Sequence, residues 1–319
     1  MRRLIDALLA PSTSLVRGLT IANLIANIGI VVTGGAVRLT GSGLGCPTWP
    51  RCTEDSFTPH SELGIYGVIE FGNRLLTYVL VAIAIATWFA VLRWRPWRRD
   101  VFVLATAIAL GIPFQGVIGG ITVLTDLNPW IVALHMLLSM ALVAGSTVLI
   151  VWVRRPYGSR GSRQTPAPLR TLAVLTYIAL WVTLYIGTIV TGSGPHAGDI
   201  DSPRNGLDPA DMSQLHADAV FVLLGLALGC VFAYRALHLP ARPPVVFLTV
   251  ALAQGLVGFV QYFTDLPVAL VATHMFGAAV LVACGTWLMC AAYARGTVTE
   301  TANTLGSTHP HQAGTSAKE

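Results

Sequence analysis

Six ionisable side chains lie within or at the edges of long apolar stretches: Glu70, Arg74, His135, His216, Asp218 and His274. On insertion scales such a group costs about 2.5 kcal/mol or more at the centre of a membrane helix, so a chain that keeps one has a use for it. Three of the six are histidines, whose neutral ring nitrogens bind transition metals strongly. His216 and His274 fall on segments that a four-helix bundle can turn toward one another. Two imidazoles facing across a bundle suit the iron of a flat macrocycle. The small residues Gly277, Ala278 and Ala279 beside His274 leave room for one. The plainer alternative is that each histidine is hydrogen-bonded inside a bundle and holds no metal.

Repetition within the chain argues against that alternative. QGVIGGITVLTDLNPWIVALHM, starting at Gln115, matches QGLVGFVQYFTDLPVALVATHM, starting at Gln254, without a gap. Gln115 and Gln254, Gly116 and Gly255, Gly119 and Gly258, the Thr-Asp-Leu turns, and His135 and His274 all coincide. The stretches Val32-Thr33-Gly34 and Val190-Thr191-Gly192 echo each other as well, so the repeating unit is four helices. An even number of spans per unit gives both halves the same orientation, related by a pseudo-twofold axis along the membrane normal. One site per half is then expected, and the two sites are unlike. Aligning the second span on the sixth puts Asn73, within IEFGNR, where His216 stands, and an amide is a poor iron ligand. A doubly ligated iron suits electron transfer, whereas an iron held only by His135 keeps a position open for oxygen chemistry.

The elements that must position these residues are membrane spans. Hydrophobic residues make up 54% of the chain and charged residues 11%, against roughly 25% charged in an average soluble domain. The apolar residues fall into eight blocks, 19–37, 65–92, 101–123, 130–153, 169–192, 215–234, 245–263 and 266–293, each near the length that crosses hydrocarbon. The expected fold class is therefore all-α, a polytopic membrane protein whose eight helices form two pseudo-twofold-related four-helix bundles. The expected division is 1–160 for the half with the singly ligated site, 161–295 for the half with the paired histidines, and 296–319 for a disordered tail rich in Thr, Ser, Gly and His.

A net charge of +5 raises the question of an anionic partner, but the charges are sorted by loop. Arg93, Arg95, Arg98 and Arg99 follow the second span, Arg154, Arg155, Arg160, Arg163 and Arg170 the fourth, and Arg235 and Arg242 the sixth. The intervening loops carry Glu54, Asp55 and Glu62, then Asp126, then Asp199, Asp201, Asp208 and Asp211, then Asp265. Basic loops stay on the cytoplasmic side, which places both termini there and the acidic loops outside. No nucleic-acid partner is needed to account for the charge. Residues 1–14 hold too short an apolar run before Pro11 for a cleaved signal peptide, so the first span is expected to stay. Cys230, Cys284 and Cys290 fall in spans and read as small apolar residues. Cys46 and Cys52 share the first external loop, where an oxidising compartment permits a disulfide; two free thiols are the alternative.

With these residues assembled, the chain resembles haem A synthase of the bacterial and mitochondrial cytochrome-oxidase assembly pathway. The resemblance covers nearly everything but the tail and rests on GGAVRLTGSGLGCPTWPRC after the first span, on IEFGNR, and on the histidines of the fourth and eighth spans. It implies an oxidoreductase of the cell membrane that converts a methyl group of haem O to a formyl group. It implies that His216 and His274 ligate an electron-passing haem b, while the first half holds haem O with His135 on its iron. Glu70 matches the family's functional glutamate beside the substrate ring, with an interfacial carboxylate paired with Arg74 as the alternative, and Cys46 with Cys52 matches its external-loop cysteine pair. Expected partners are haem O, a haem O synthase, a membrane electron donor and the lipid bilayer, with a homo-oligomer allowed.

Two departures from the family pattern stand out. Asn73 replaces a second substrate-side histidine that many members carry, and His60, ten positions before Glu70, is the candidate substitute. The loop GSGPHAGDIDSPRNG lacks the further cysteine pair of some members, and its His196 reads as a solvated loop residue. Arg74 and Arg38 are candidates to pair with haem propionates, with interfacial snorkelling as the alternative. Two rival functions stay open: a dihaem electron carrier that leaves its porphyrins unaltered, and a transporter, since duplicated halves occur there too.

Overall fold

The computed structural model describes residues 11–155 and 165–294. Among these residues it contains eight helices long and apolar enough to cross a membrane, and no strand. They are α1 (Thr13–Leu39), α2 (Gly64–Arg93), α3 (Arg99–Leu124), α4 (Pro129–Arg154), α5 (Ala167–Ser193), α6 (Pro209–Ala236), α7 (Arg242–Phe263) and α8 (Val268–Ala292). A single 3-10 turn, Ser61–Leu63, leads into α2. The tail and the expected boundary at 160 lie outside the described residues.

Local chemistry sets the helix ends, and it moves two of them. Ser12 accepts the Leu15 N–H and starts α1 at Thr13, six residues before the expected 19. Asp208 accepts the N–H groups of Ala210 and Asp211, with Pro209 in the first turn, so α6 begins at 209 rather than 215. Asp211, expected in a loop, therefore sits in the first turn, where a negative charge favours the helix dipole. Polar capping residues outside the apolar run had hidden these extra turns.

Neighbour relations repeat between the halves. α1 packs on α2, α2 on α3, α3 on α4 and α4 on α1; α5 to α8 repeat the same ring. The halves meet through α4 on α8, α1 on α8 and α4 on α5, as expected for an axis passing between α4 and α8. One buried apolar cluster lies in each half, the first around Leu80, Ile108 and Leu149, the second around Leu180, Leu223 and Phe247. A third, with Val31, Met140, Val143, Ala279 and Val282, fills the seam between them. The repeated turns agree down to the backbone: Asp126 and Leu127, like Asp265 and Leu266, adopt positive φ. Leu127 N–H reaches Thr122 O, and Leu266 N–H reaches Gln261 O.

Large apolar side chains such as Leu110, Phe221 and Phe263 point outward around the bundle, a surface suited to lipid and costly in water. Some polar residues inside are paired across helices. Asn23 and Asn27 on α1 both donate to Ser146 Oγ on α4, and Ser146 Oγ–H donates to Leu142 O at 2.7 Å. Interhelical hydrogen bonds in membranes average about 0.6 kcal/mol and reach about 1.7 kcal/mol. Ser146→Ala should destabilise the protein by about 1 kcal/mol, read from reversible unfolding in detergent, while Ser146→Thr keeps the acceptor and most of the stability.

Candidate functional site

The three membrane histidines are held in the same way, and glycine makes it possible. His135 is the seventh residue of α4, which starts at Pro129, and His274 the seventh of α8, which starts at Val268. Each therefore lies about 9 Å along its helix from the end that bears the acidic loops. A Cβ on Gly119 of α3 would stand 3.3 Å from His135 Cε1, and one on Gly258 of α7 would stand 3.0 Å from His274 Cε1. His216 on α6 sits the same way against Gly187 of α5, at 3.0 Å. Each imidazole lies flush on a neighbouring backbone that carries no side chain there.

A glutamine fixes the histidine backbone from the same neighbour. Gln115 Nε2 donates to His135 O at 2.9 Å, and Gln254 Nε2 donates to His274 O at 2.7 Å. The repeat displayed these glutamines and glycines one by one; only the helix packing gives them the shared task of seating a ring. The Nδ1 atoms of His135, His216 and His274 are buried without a well-aligned hydrogen-bond partner.

His216 and His274 face each other, as expected, with ring centroids 6.4 Å apart and planes 71° apart. One metal between two imidazoles needs about 6 Å, two metal–nitrogen bonds of about 2 Å each plus the half-width of both rings. Among the described residues no group of three or more His, Cys, Asp or Glu side chains converges on one point. A donor set of two opposed imidazoles fits an iron whose remaining ligands come from a porphyrin. Asp218, nearby on α6, is exposed and accepts from Gln214.

In the first half, Asn73 accepts a hydrogen bond from Thr33 Oγ1 of α1 at 2.8 Å, beside Gly34. Its amide is thus turned by its neighbour on α1. His60 is exposed at the start of the 3-10 turn. His196 departs from expectation: it is half-buried, and its Nε2 lies 3.1 Å from Leu266 O, tying the loop after α5 to the α7–α8 turn.

Glu70 and Arg74 hold the outer loop. Cys46 and Cys52 are joined and fully buried. Glu70 is 5% exposed; its Oε2 accepts the Cys46 N–H at 2.6 Å and its Oε1 accepts Arg74 Nε at 3.0 Å. Arg74 also donates to Cys46 O, Thr48 O and Arg51 O. Gly45 packs against the Tyr66–Gly67 backbone of α2 so closely that no Cβ fits. The loop's Trp49 ring is thereby laid on Gly120, next to the Gly119 that seats His135. Nothing in the composition of the loop marked Trp49 for that place.

Two measurements test this geometry. A Cβ at Gly255 would meet nothing within 4 Å, so Gly255→Ala should be neutral or gain up to about 1 kcal/mol of helix propensity, whereas Gly258→Ala should displace His274 and lower the unfolding midpoint. Arg74→Met removes the loop's clamp and should speed reduction of the Cys46–Cys52 disulfide by a bulky phosphine several-fold; an unchanged rate would mean the loop holds itself.

The comparisons with known proteins point one way. Residues 17–198 match the COX15-CtaA family model, described as cytochrome oxidase assembly protein. The chain is similar to a haem A synthase of Lysinibacillus sphaericus, 36% identical over 139 residues that cover 43% of this chain and 44% of that one. It is similar to one of Symbiobacterium thermophilum, 28% identical over 232 residues, 66% of this chain and 74% of the relative. A third, from Methylorubrum populi, is 29% identical over 199 residues, 52% of this chain and 51% of the relative. In the first and third of these the matched stretch spans about half of the relative's length. Since the family model covers more than half of its 319 residues, the chain belongs to the COX15-CtaA family of cytochrome oxidase assembly proteins.

Proposed function

We propose that this chain is a haem A synthase, oxidising one ring methyl group of haem O to a formyl group to make haem A for cytochrome oxidase. The observation that carries the reading is the opposed pair His216 and His274, spaced for one iron, on a family background of oxidase assembly. His216 and His274 would hold a haem b, which when bound supplies electron transfer. Gly187, Gly258 and Gln254 keep the two rings aimed at each other.

Haem O would enter the first half from the bilayer, with His135 as the residue that holds its iron. Turning its methyl into a formyl group removes four electrons and adds one oxygen atom, so an external oxidant, dioxygen or a membrane electron acceptor with water as the oxygen source, must serve the site. Asn73, its oxygen held by Thr33, is a hydrogen-bonding residue and would be a weak iron ligand beside His135. Both carboxylate oxygens of Glu70 are engaged, which suits it to place an oriented negative charge beside the ring, where positive charge develops, more than to shuttle a proton. Arg74 acts from behind by fixing that carboxylate and the loop. The protein sits in the cell membrane with both termini cytoplasmic and the sites near the outer face, where it meets a haem O synthase and a membrane electron donor, alone or as a homo-oligomer.

Pigment analysis tests the reading. A host that makes haem O should accumulate haem A only when it expresses this chain. His216→Ala with His274→Ala should remove haem b absorbance, and Glu70→Gln should abolish haem A while pigment stays bound. Bound haem with no haem A formed would assign the chain to electron transfer, and purified protein without Soret absorbance would point to a transporter.

A further inference from the structure

A half-buried positive charge near the outer end of the seam between the halves has no carboxylate within ion-pair distance among the described residues. Arg38, in the last turn of α1, sends its Nη2 across to Thr191 O of α5 at 2.6 Å, while its Nε is buried with no partner. Among the described residues the only ion pairs are Glu70 with Arg74 and Arg98 with Asp100, so no carboxylate neutralises Arg38. The loop after α5 closes over it: Gly43 N–H bonds Gly198 O, and a Cβ on Gly198 would lie 3.7 Å from Arg38 Cγ. That loop also carries a second cation, the exposed Arg204, whose charge adds to the positive potential at Arg38. Arg204 is itself turned by the carbonyls of Ser202 and Pro195. Ser202 Oγ, also buried, has no hydrogen-bond partner.

A carbonyl satisfies one N–H but cancels no charge, and a half-buried guanidinium whose Nε is cut off from any partner costs the fold unless an anion joins it. The planar fork of Arg matches a carboxylate or phosphate. The position says which. Thr191 Oγ1 donates to Gly187 O one turn down α5, and Gly187 is the residue on which the His216 ring lies. Arg38 thus stands about 5.4 Å outward of that level. It does so from the opposite half. In the Val-Thr-Gly register the counterpart of Arg38 is His196, four residues beyond Gly192 as Arg38 is beyond Gly34, and His196 bonds Leu266 O instead. The first-half site receives no such cation from α5.

We infer that Arg38, together with Ser202 and Arg204 of the loop after α5, forms the binding site for a propionate carboxylate of the haem held between His216 and His274, supplied across the seam by the other half. This rests on the haem reading above. Propionates are the charged substituents of that ring, so esterifying them removes the ligand while leaving iron and ring intact.

The full chain, purified in detergent without added pigment, is titrated with iron protoporphyrin IX and with its dimethyl ester. Wild-type protein should prefer the free acid by about tenfold or more, and Arg38→Met should abolish the preference while the bis-imidazole absorption spectrum persists. Arg38→Lys should keep part of the preference, and it serves where the Met variant does not fold. Equal affinity of wild type for acid and ester, or a full preference surviving in Arg38→Met, overturns the inference and leaves the haem reading intact. Loss of the wild-type preference on adding phosphatidylglycerol assigns the arginine to a lipid phosphate and also overturns it. Failure of wild type to take up either porphyrin sinks the haem reading as well.

Discussion

An imidazole lying on the bare backbone of the next helix is the contact on which the rest of the architecture depends. At His135, His216 and His274 a glycine lets the ring approach a helix that any side chain would hold away. In a membrane, van der Waals packing and internal hydrogen bonds replace the aqueous hydrophobic effect as the force between helices, so small residues mark the tightest approaches. Here that closeness has a second use. It fixes the plane of each ring with little rotamer freedom left, and Gln115 and Gln254 fix the backbone beneath it. Two such rings, His216 and His274, stand with centroids 6.4 Å apart, a separation set by the helices themselves.

The outer loop depends on the same bundle from above. Its disulfide is short-range, closing a ring only six residues apart, and by itself leaves the loop's position over the helices undetermined. Glu70 and Arg74, one helical turn apart on α2, supply that position through backbone groups of Cys46, Thr48 and Arg51. The ion pair therefore acts through backbone atoms of another segment, and its consequence appears at Trp49, on the far side of the loop over Gly120. A charged pair at the edge of the apolar span is thereby hydrogen-bonded by protein groups, with Arg74 still partly exposed, and so does not rely on water alone.

Duplication gave two halves of one fold, and the differences between them are where function is proposed to divide. Asn73 stands in the first half where the second has His216, and His196 stands in the second where the first has Arg38. Each swap changes a ligand or a charge without changing a helix. Arg38 and Arg155 also lace the halves together at opposite ends of the bundle, the first to Thr191 O and the second to Cys290 O. A charge contributed by one half can therefore serve a site in the other.

The number of helices, their approximate spans, the twofold repeat of a four-helix unit and the histidines were all legible in the sequence, because apolar length and a gapless repeat are one-dimensional signals. Cys46 and Cys52 were legible as a pair because they share one short loop. Helix starts at Thr13 and Pro209 were less so, since polar caps extend a helix beyond its apolar stretch. Contacts between segments far apart in the chain were decided only by tertiary structure. His196 lost its solvated reading to a carbonyl seventy residues away, Trp49 found Gly120, and Arg38 was partly covered by a loop that begins more than 150 residues later. Sequence fixes which groups must find partners inside a bilayer; which partner each one finds depends on how closely two helices can approach, and that is set by packing in three dimensions.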